Sequence, residues 1–197
     1  MTSPAEPAET NPQTEFVSAY RESLFRAANT IDMNAVAAGI TLLAAARDGE
    51  RSIFVCGNGG SAATASHFAC DIVKGASHGR EKRFRIMALT DSLATLTAYS
   101  NDISYECVFV EQLKNFARPG DVVIAISGSG NSPNVLHALE YANSIGCETI
   151  AMTGRDGGRL GPLGKVQIRV ADHHMGRIED GHMMVCHMWA YYFMERD

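Results

Sequence analysis

What the 197-residue chain lacks narrows its reading first. No apolar run approaches the ~20 residues that a membrane-spanning helix needs, which excludes a helical span. The start of the chain carries Pro4, Glu6, Pro7, Glu9 and Pro12 and no apolar stretch of the signal-peptide kind. Residues 1–13 are therefore expected to be a disordered leader, and 14–197 a single domain. There is no CxxC pair, so no structural zinc motif is indicated. The cysteines Cys56, Cys70, Cys107, Cys147 and Cys186 are isolated and odd in number. That argues against a disulfide framework and for reduced thiols in a cytoplasmic protein. A net charge of -5 lacks the basic balance of a non-specific nucleic-acid binder. Neither a GxGxxG fingerprint nor a GxxxxGK[ST] loop is present, so no nucleotide cofactor is expected.

What remains is an ordinary globular composition, 46% hydrophobic and 20% charged, in a chain long enough for one sizeable core. Two helices are expected before the first strand, over 14–28 and from a cap at Asp32 to residue 47. Strands are expected at 52–56, 85–89, 122–126, 148–153 and 166–170. Helices are expected at 62–74, 93–99, 105–116, 133–144 and 178–195. The run Val122-Val123-Ile124-Ala125-Ile126 is apolar and mostly β-branched, as in a strand covered on both faces. The alternation implies an α/β fold with a mainly parallel five-stranded sheet and helices on both faces.

Two stretches stand out at strand ends. Gly57-Asn58-Gly59-Gly60-Ser61 follows the first strand, with Ser61 expected near a helix N-cap. Ser127-Gly128-Ser129-Gly130-Asn131-Ser132 follows the third, before Pro133 opens a helix. Hydroxyls and free N–H groups at helix starts can hold a phosphate without lysine. A lone loop of this composition is most simply a turn and cap. Two of them, each ending a buried strand, point to a phosphate or phosphosugar site. The basic stretch with His78, Arg80, Lys82, Arg83 and Arg85 reads first as a solvated loop, with a ligand or subunit contact as the alternative.

Further along, His67 and Asp71 lie four residues apart on the helix after the first loop and share a face. Glu179 and His187 lie eight apart on the last helix, also on one face, with His182 near that stripe. A carboxylate and an imidazole can move a proton between two carbons of a sugar. The same groups could instead hold a divalent metal such as zinc. His173 and His174 read as surface residues, and the methionines of the last helix as packing.

Together Cys56–Ser61, His67-Phe68-Ala69, Ala125–Ser132 and Met152–Gly158 resemble the SIS (sugar isomerase) domain. More narrowly they resemble the phosphoheptose isomerase family, which acts on sedoheptulose 7-phosphate. The resemblance covers the chain beyond the leader. It implies a flavodoxin-like α/β fold, a homotetramer with active sites at subunit interfaces, and ketose–aldose isomerisation through an enediol in heptose or lipopolysaccharide biosynthesis. By position it implies phosphate binding by Ser61, Ser127, Ser129 and Ser132, with Asn58, Gly59, Gly60 and Gly128 around them. It implies Asp71 as catalytic base, His187 as catalytic acid, Glu179 at a substrate-binding glutamine position, and Asn101-Asp102 as a substrate-binding pair. Some members bind zinc at the positions of His67, Asp71, Glu179 and His187.

Two positions depart from the family pattern. Asp71 replaces a glutamate, so a base there reaches about 1 Å less far. Glu179 replaces a glutamine and is expected to add negative charge beside Asp71, which favours a cation between them. Two alternatives to this isomerase stay open: an isomerase of another ketose phosphate, and a non-catalytic SIS regulator that binds a phosphosugar and a protein partner. A pure oligomeric scaffold would leave the serine loops unexplained.

Overall fold

The computed structural model describes residues 11–196. Most of the expected leader, and Asp197, lie outside the described residues. Helix α1 (Pro12–Ala28) starts two residues before the expected boundary, because the Asn11 side chain accepts from the Gln13 N–H at 2.9 Å and Pro12 fits the first turn. Asp32 caps α2 (Met33–Asp48) in the same way, accepting from Asn34 at 2.8 Å.

Five strands follow: β1 (Ser52–Gly57), β2 (Arg85–Ala88), β3 (Val122–Ser127), β4 (Glu148–Gly154) and β5 (Val166–Val170). They form one sheet in the order β2-β1-β3-β4-β5, every pair parallel. Between them run α3 (Gly60–Cys70), α4 (Leu93–Asp102), α5 (Val110–Phe116) and α6 (Pro133–Ser144), and α7 (Met175–Glu195) closes the chain.

Strand alternation divides the core in two. Ile53, Val55, Ile124, Ile126, Ile150 and Met152 face one side, where α2, α3 and α7 bring Val36, Leu43, Phe68 and Trp189. Phe54, Cys56, Val123, Ala125 and Ala151 face the other, against Leu113 of α5 and Leu136 and Leu139 of α6. Burial pushes the Cys56 thiol up to about 12 and raises that of Cys186, so both stay protonated and unreactive.

Three local departures from sequence expectation have physical causes. Gly59, not Ser61, is the N-cap of α3; its φ of 54° and ψ of -120° suit only glycine, and the Ser61 side chain is left free to point elsewhere. The expected helix over 105–116 is a 3-10 turn, Tyr105–Cys107, followed by the separate α5. The end of α3 widens into a π-helical segment, Asp71–Gly75, in which the Ala76 N–H reaches back five residues to the Asp71 carbonyl.

Candidate active site

The chain leaves β1 toward β2 on one side and β3 on the other, so the sheet has its switch point between β1 and β3. Gly57 pairs with Ile126 in the register of these strands, so both serine loops leave the sheet at the same level and side by side.

In the second loop three hydroxyls converge. Ser127 Oγ lies 3.4 Å from Ser129 Oγ and 3.3 Å from Ser132 Oγ. Ser132 is the N-cap residue of α6, but its side chain makes no capping bond, which leaves the hydroxyl available beside the helix start. Ser61 is buried from the other side, its Cβ facing Gly57. Gly130 holds the loop's shape: its φ is 66°, and a Cβ there would collide with the Gly157 carbonyl. The Gly154–Gly158 segment thus buttresses the cradle.

Asn58 has its side chain committed to the fold. It exchanges two amide hydrogen bonds of 2.9 Å with Asn134 of α6, and its oxygen also accepts from the Tyr105 hydroxyl at 2.8 Å. This pair bolts one serine loop to the other. Asn134 and Tyr105 had no role in the sequence reading; the only sign was a polar residue directly after Pro133, where a buried apolar one would otherwise serve.

The second half of the site lies where α3 meets α7. His67 Nε2 stands 3.2 Å from Asp71 Oδ2 and 3.1 Å from His187 Nε2, and His187 Nε2 is 3.9 Å from the same carboxylate oxygen. A hydrogen on His67 Nε2 can therefore reach both the carboxylate and the second ring. The three ligand atoms lie within 4.8 Å of one another, a cluster that could hold a metal ion. All three side chains are partly open to solvent, so a substrate can approach them.

Glu179 does not join this cluster. Eight residues on one helix face share an angle but are separated by about 12 Å along the axis. The Glu179 carboxylate lies against Gly60 at the start of α3, where any Cβ would collide with it. It sits at the cradle end of α3, about three turns from Asp71 rather than beside it. The expected carboxylate pair, and a four-ligand set within one chain, are therefore not formed among the described residues. Asn101 and Asp102 end α4 and bond to each other at 2.7 Å; both are exposed. Their helix packs on the Tyr105–Cys107 turn.

His182 also leaves the stripe. It is fully buried, with Nε2 donating to the Thr153 carbonyl at 3.0 Å and Nδ1 unpartnered. Burial pushes its imidazole down to about 4, against the smaller opposing effect of the Thr153 hydrogen bond. The folded protein keeps this ring neutral, while the unfolded chain takes up a proton near 6.5. Stability is thus complete above pH 6.5 and is lost by up to about 3 kcal/mol as pH falls to 4. Proton NMR titration should find the His182 ring neutral at pH 5; an ordinary titration near 6.5 would remove it from the acid sensitivity. A second acid step lies lower. The bidentate Arg177 guanidinium holds the Asp172 carboxyl well below 3.8, so that contribution is present above 3.8 and is lost as pH falls below it.

The basic loop lies away from this site. Arg80 donates to the Met194 carbonyl at 2.9 Å and Lys82 pairs with Asp48 at 3.2 Å, while Arg85 opens β2 at the opposite end of the sheet. No helix among the described residues is long and apolar enough to cross a membrane.

Comparison with known proteins agrees with this geometry. The SIS domain family matches residues 15–154. The phosphoheptose isomerase of Geotalea daltonii is 41% identical over 157 residues, 78% of this chain and 79% of that protein. Among solved structures, a phosphoheptose isomerase from Neisseria gonorrhoeae superposes with a TM-score of 0.84 at 34% identity, covering 92% of this chain and 98% of that one. One from Francisella tularensis gives 0.86 at 26% identity, over 94% and 100%. With its switch-point serine cradle and all-parallel sheet, the chain belongs to the SIS domain family, among the phosphoheptose isomerases.

Proposed function

We propose that the protein interconverts sedoheptulose 7-phosphate and its aldose, D-glycero-D-manno-heptose 7-phosphate. The observation that carries this reading is the placement of a serine cradle and an acid–base cluster at two ends of one helix. From Gly60 to His67 is about 10 Å along α3, a length suited to an extended seven-carbon sugar between its phosphate and its reacting carbons.

In this reading Ser61, Ser127, Ser129 and Ser132 hold the phosphate, with backbone N–H groups at the start of α6 and around Gly59, Gly60 and Gly128. Asp71 takes a proton from C1 of the ketose, and His187 Nε2 protonates the carbonyl oxygen on C2, giving a neutral enediol. A proton returned to C2, and loss of the O1 hydrogen, complete the aldose. Glu179, against Gly60 at the cradle end of α3, accepts hydrogen bonds from the sugar hydroxyls nearest the phosphate. Asn101 and Asp102 belong to the substrate pocket only if a further subunit completes it, which is the arrangement of a homotetramer with shared active sites.

Zinc fits the cluster. A tetrahedral ion with ligands at 2.0–2.1 Å separates them by about 3.4 Å, and the three spacings here are 3.1, 3.2 and 3.9 Å. His67, Asp71 and His187 would hold it in place of the proton transfer from His187 Nε2, and when bound it would polarise the substrate's carbonyl and hydroxyl oxygens. The isolated cysteines and the substrate support a cytoplasmic place in heptose supply.

The test is turnover of sedoheptulose 7-phosphate, compared with the Ser132→Ala variant. The wild type should form the aldose. The variant should raise KM by about 10-fold or more with kcat little changed, since a hydrogen bond to a charged phosphate contributes about 1.5–3 kcal/mol. Binding without turnover of any ketose phosphate would replace this reading with that of a sugar-binding regulator.

A further inference from the structure

We propose that the cavity at the opposite edge of the sheet, lined by Arg51, Arg85 and Arg118, is a second anion site that takes a diphosphate group. Ser52 opens β1, Arg85 opens β2 and Asp121 directly precedes β3, so this cavity of ≈ 390 Å³ lies at the N-terminal ends of the strands. A six-residue strand separates it from the serine cradle by about 17 Å.

Two of its three cations are not used by the fold among the described residues. The Arg85 and Arg118 guanidinium groups make no hydrogen bond or ion pair among the described residues. Arg51 lies over Gly120 and makes one long bond, 3.4 Å, to the Pro119 carbonyl. Two carboxylates also line the cavity. Asp121 is buried and already accepts the Ser52 N–H at 2.9 Å and the Arg118 N–H at 2.8 Å, and Glu50 is exposed. Three guanidinium groups around one cavity, in a chain of net charge -5, form a local positive field. Guanidinium groups with their N–H donors free suit the paired oxygens of a diphosphate.

An apolar wall adjoins the arginines. Phe116 is 53% exposed and Met87 40%, both lining the same cavity. An exposed ring beside arginines offers a stacking surface to the organic part of a nucleoside or sugar diphosphate.

Calorimetry on the full chain with ADP, AMP and inorganic pyrophosphate tests the site. ADP or pyrophosphate should bind, and Arg85→Ala with Arg118→Ala should weaken that binding by about 100-fold or more. Ser132→Ala should bind ADP and pyrophosphate as the wild type does, which separates this site from the cradle. Tighter binding of ADP than of pyrophosphate assigns a role to the apolar wall, and equal binding assigns the diphosphate alone; both support the site. Arg85→Gln serves as a milder variant, with thermal melts to check folding. Unchanged affinity in the double variant, loss in Ser132→Ala, or no binding of any of the three probes would overturn it.

Discussion

His187→Ala is expected to lower kcat for sedoheptulose 7-phosphate by about 10²–10⁴-fold, with little change in KM. The ring touches His67 and lies within 3.9 Å of Asp71, so its loss removes the proton donor and one corner of the metal cluster together. The effect on folding should be small, because the side chain is 45% exposed and its neighbours stay solvated. Steady-state kinetics with a thermal melt check both halves. A kcat within a few-fold of wild type would exclude His187 from the proton transfers. Zinc analysis of the same variant separates its two roles: retained metal with lost activity would assign the proton transfer to the imidazole itself.

The second large effect concerns stability. Trp189→Ala should cost about 3–5 kcal/mol and lower Tm by about 10 °C. The indole is fully buried where α7 meets α2 and α3, its ring 5.8 Å from that of Phe68. Its N–H donates to the Val36 carbonyl at 2.9 Å, and truncation removes that bond as well as opening a cavity. The closeness of the fit is visible at Gly39, where a Cβ would stand 2.6 Å from the indole. Gly39→Ala should therefore also destabilise, by overpacking rather than by loss. Melts at one fixed protein concentration decide this; a Tm drop below 3 °C for Trp189→Ala would mean that the three-helix junction rearranges to fill the space. Because α3 and α7 carry the cluster, activity should fall as the melt begins.

The strands and both serine loops were legible in the sequence because their signals are local. Apolar β-branched residues run without interruption where both faces of a parallel strand are covered, and glycine and serine mark where the chain turns out. The pairing of His67 with Asp71 was equally local, one helical turn on one face. Glu179 and His187 show the limit of that reasoning. Periodicity gives the angle around a helix, but whether two groups meet depends also on distance along it, and eight residues carry Glu179 away to Gly60. His182 misled for a related reason: on a helix apolar nearly all round, neighbouring faces are both buried, and the ring faces the Thr153 carbonyl in the core. Asn58 looked like a ligand contact, yet its amide is spent on Asn134, a partner 76 residues away that no local pattern reveals.

The π-helical turn after Asp71 bears on how this region tolerates changes in length. It holds one surplus residue in a single wide turn, and its backbone closes from Ala76 to Asp71. His67 and Asp71 lie at or before its first residue, so they keep their phase whatever happens after them. Deleting Val73 or Lys74, both exposed, would return the turn to ordinary helical pitch and let the loop toward β2 slip by one position. The same deletion placed between His67 and Asp71 would swing the carboxylate about 100° around the helix and part it from both imidazoles. The segment works as a slip joint, which isolates the reacting groups from insertions and deletions in the loop that follows.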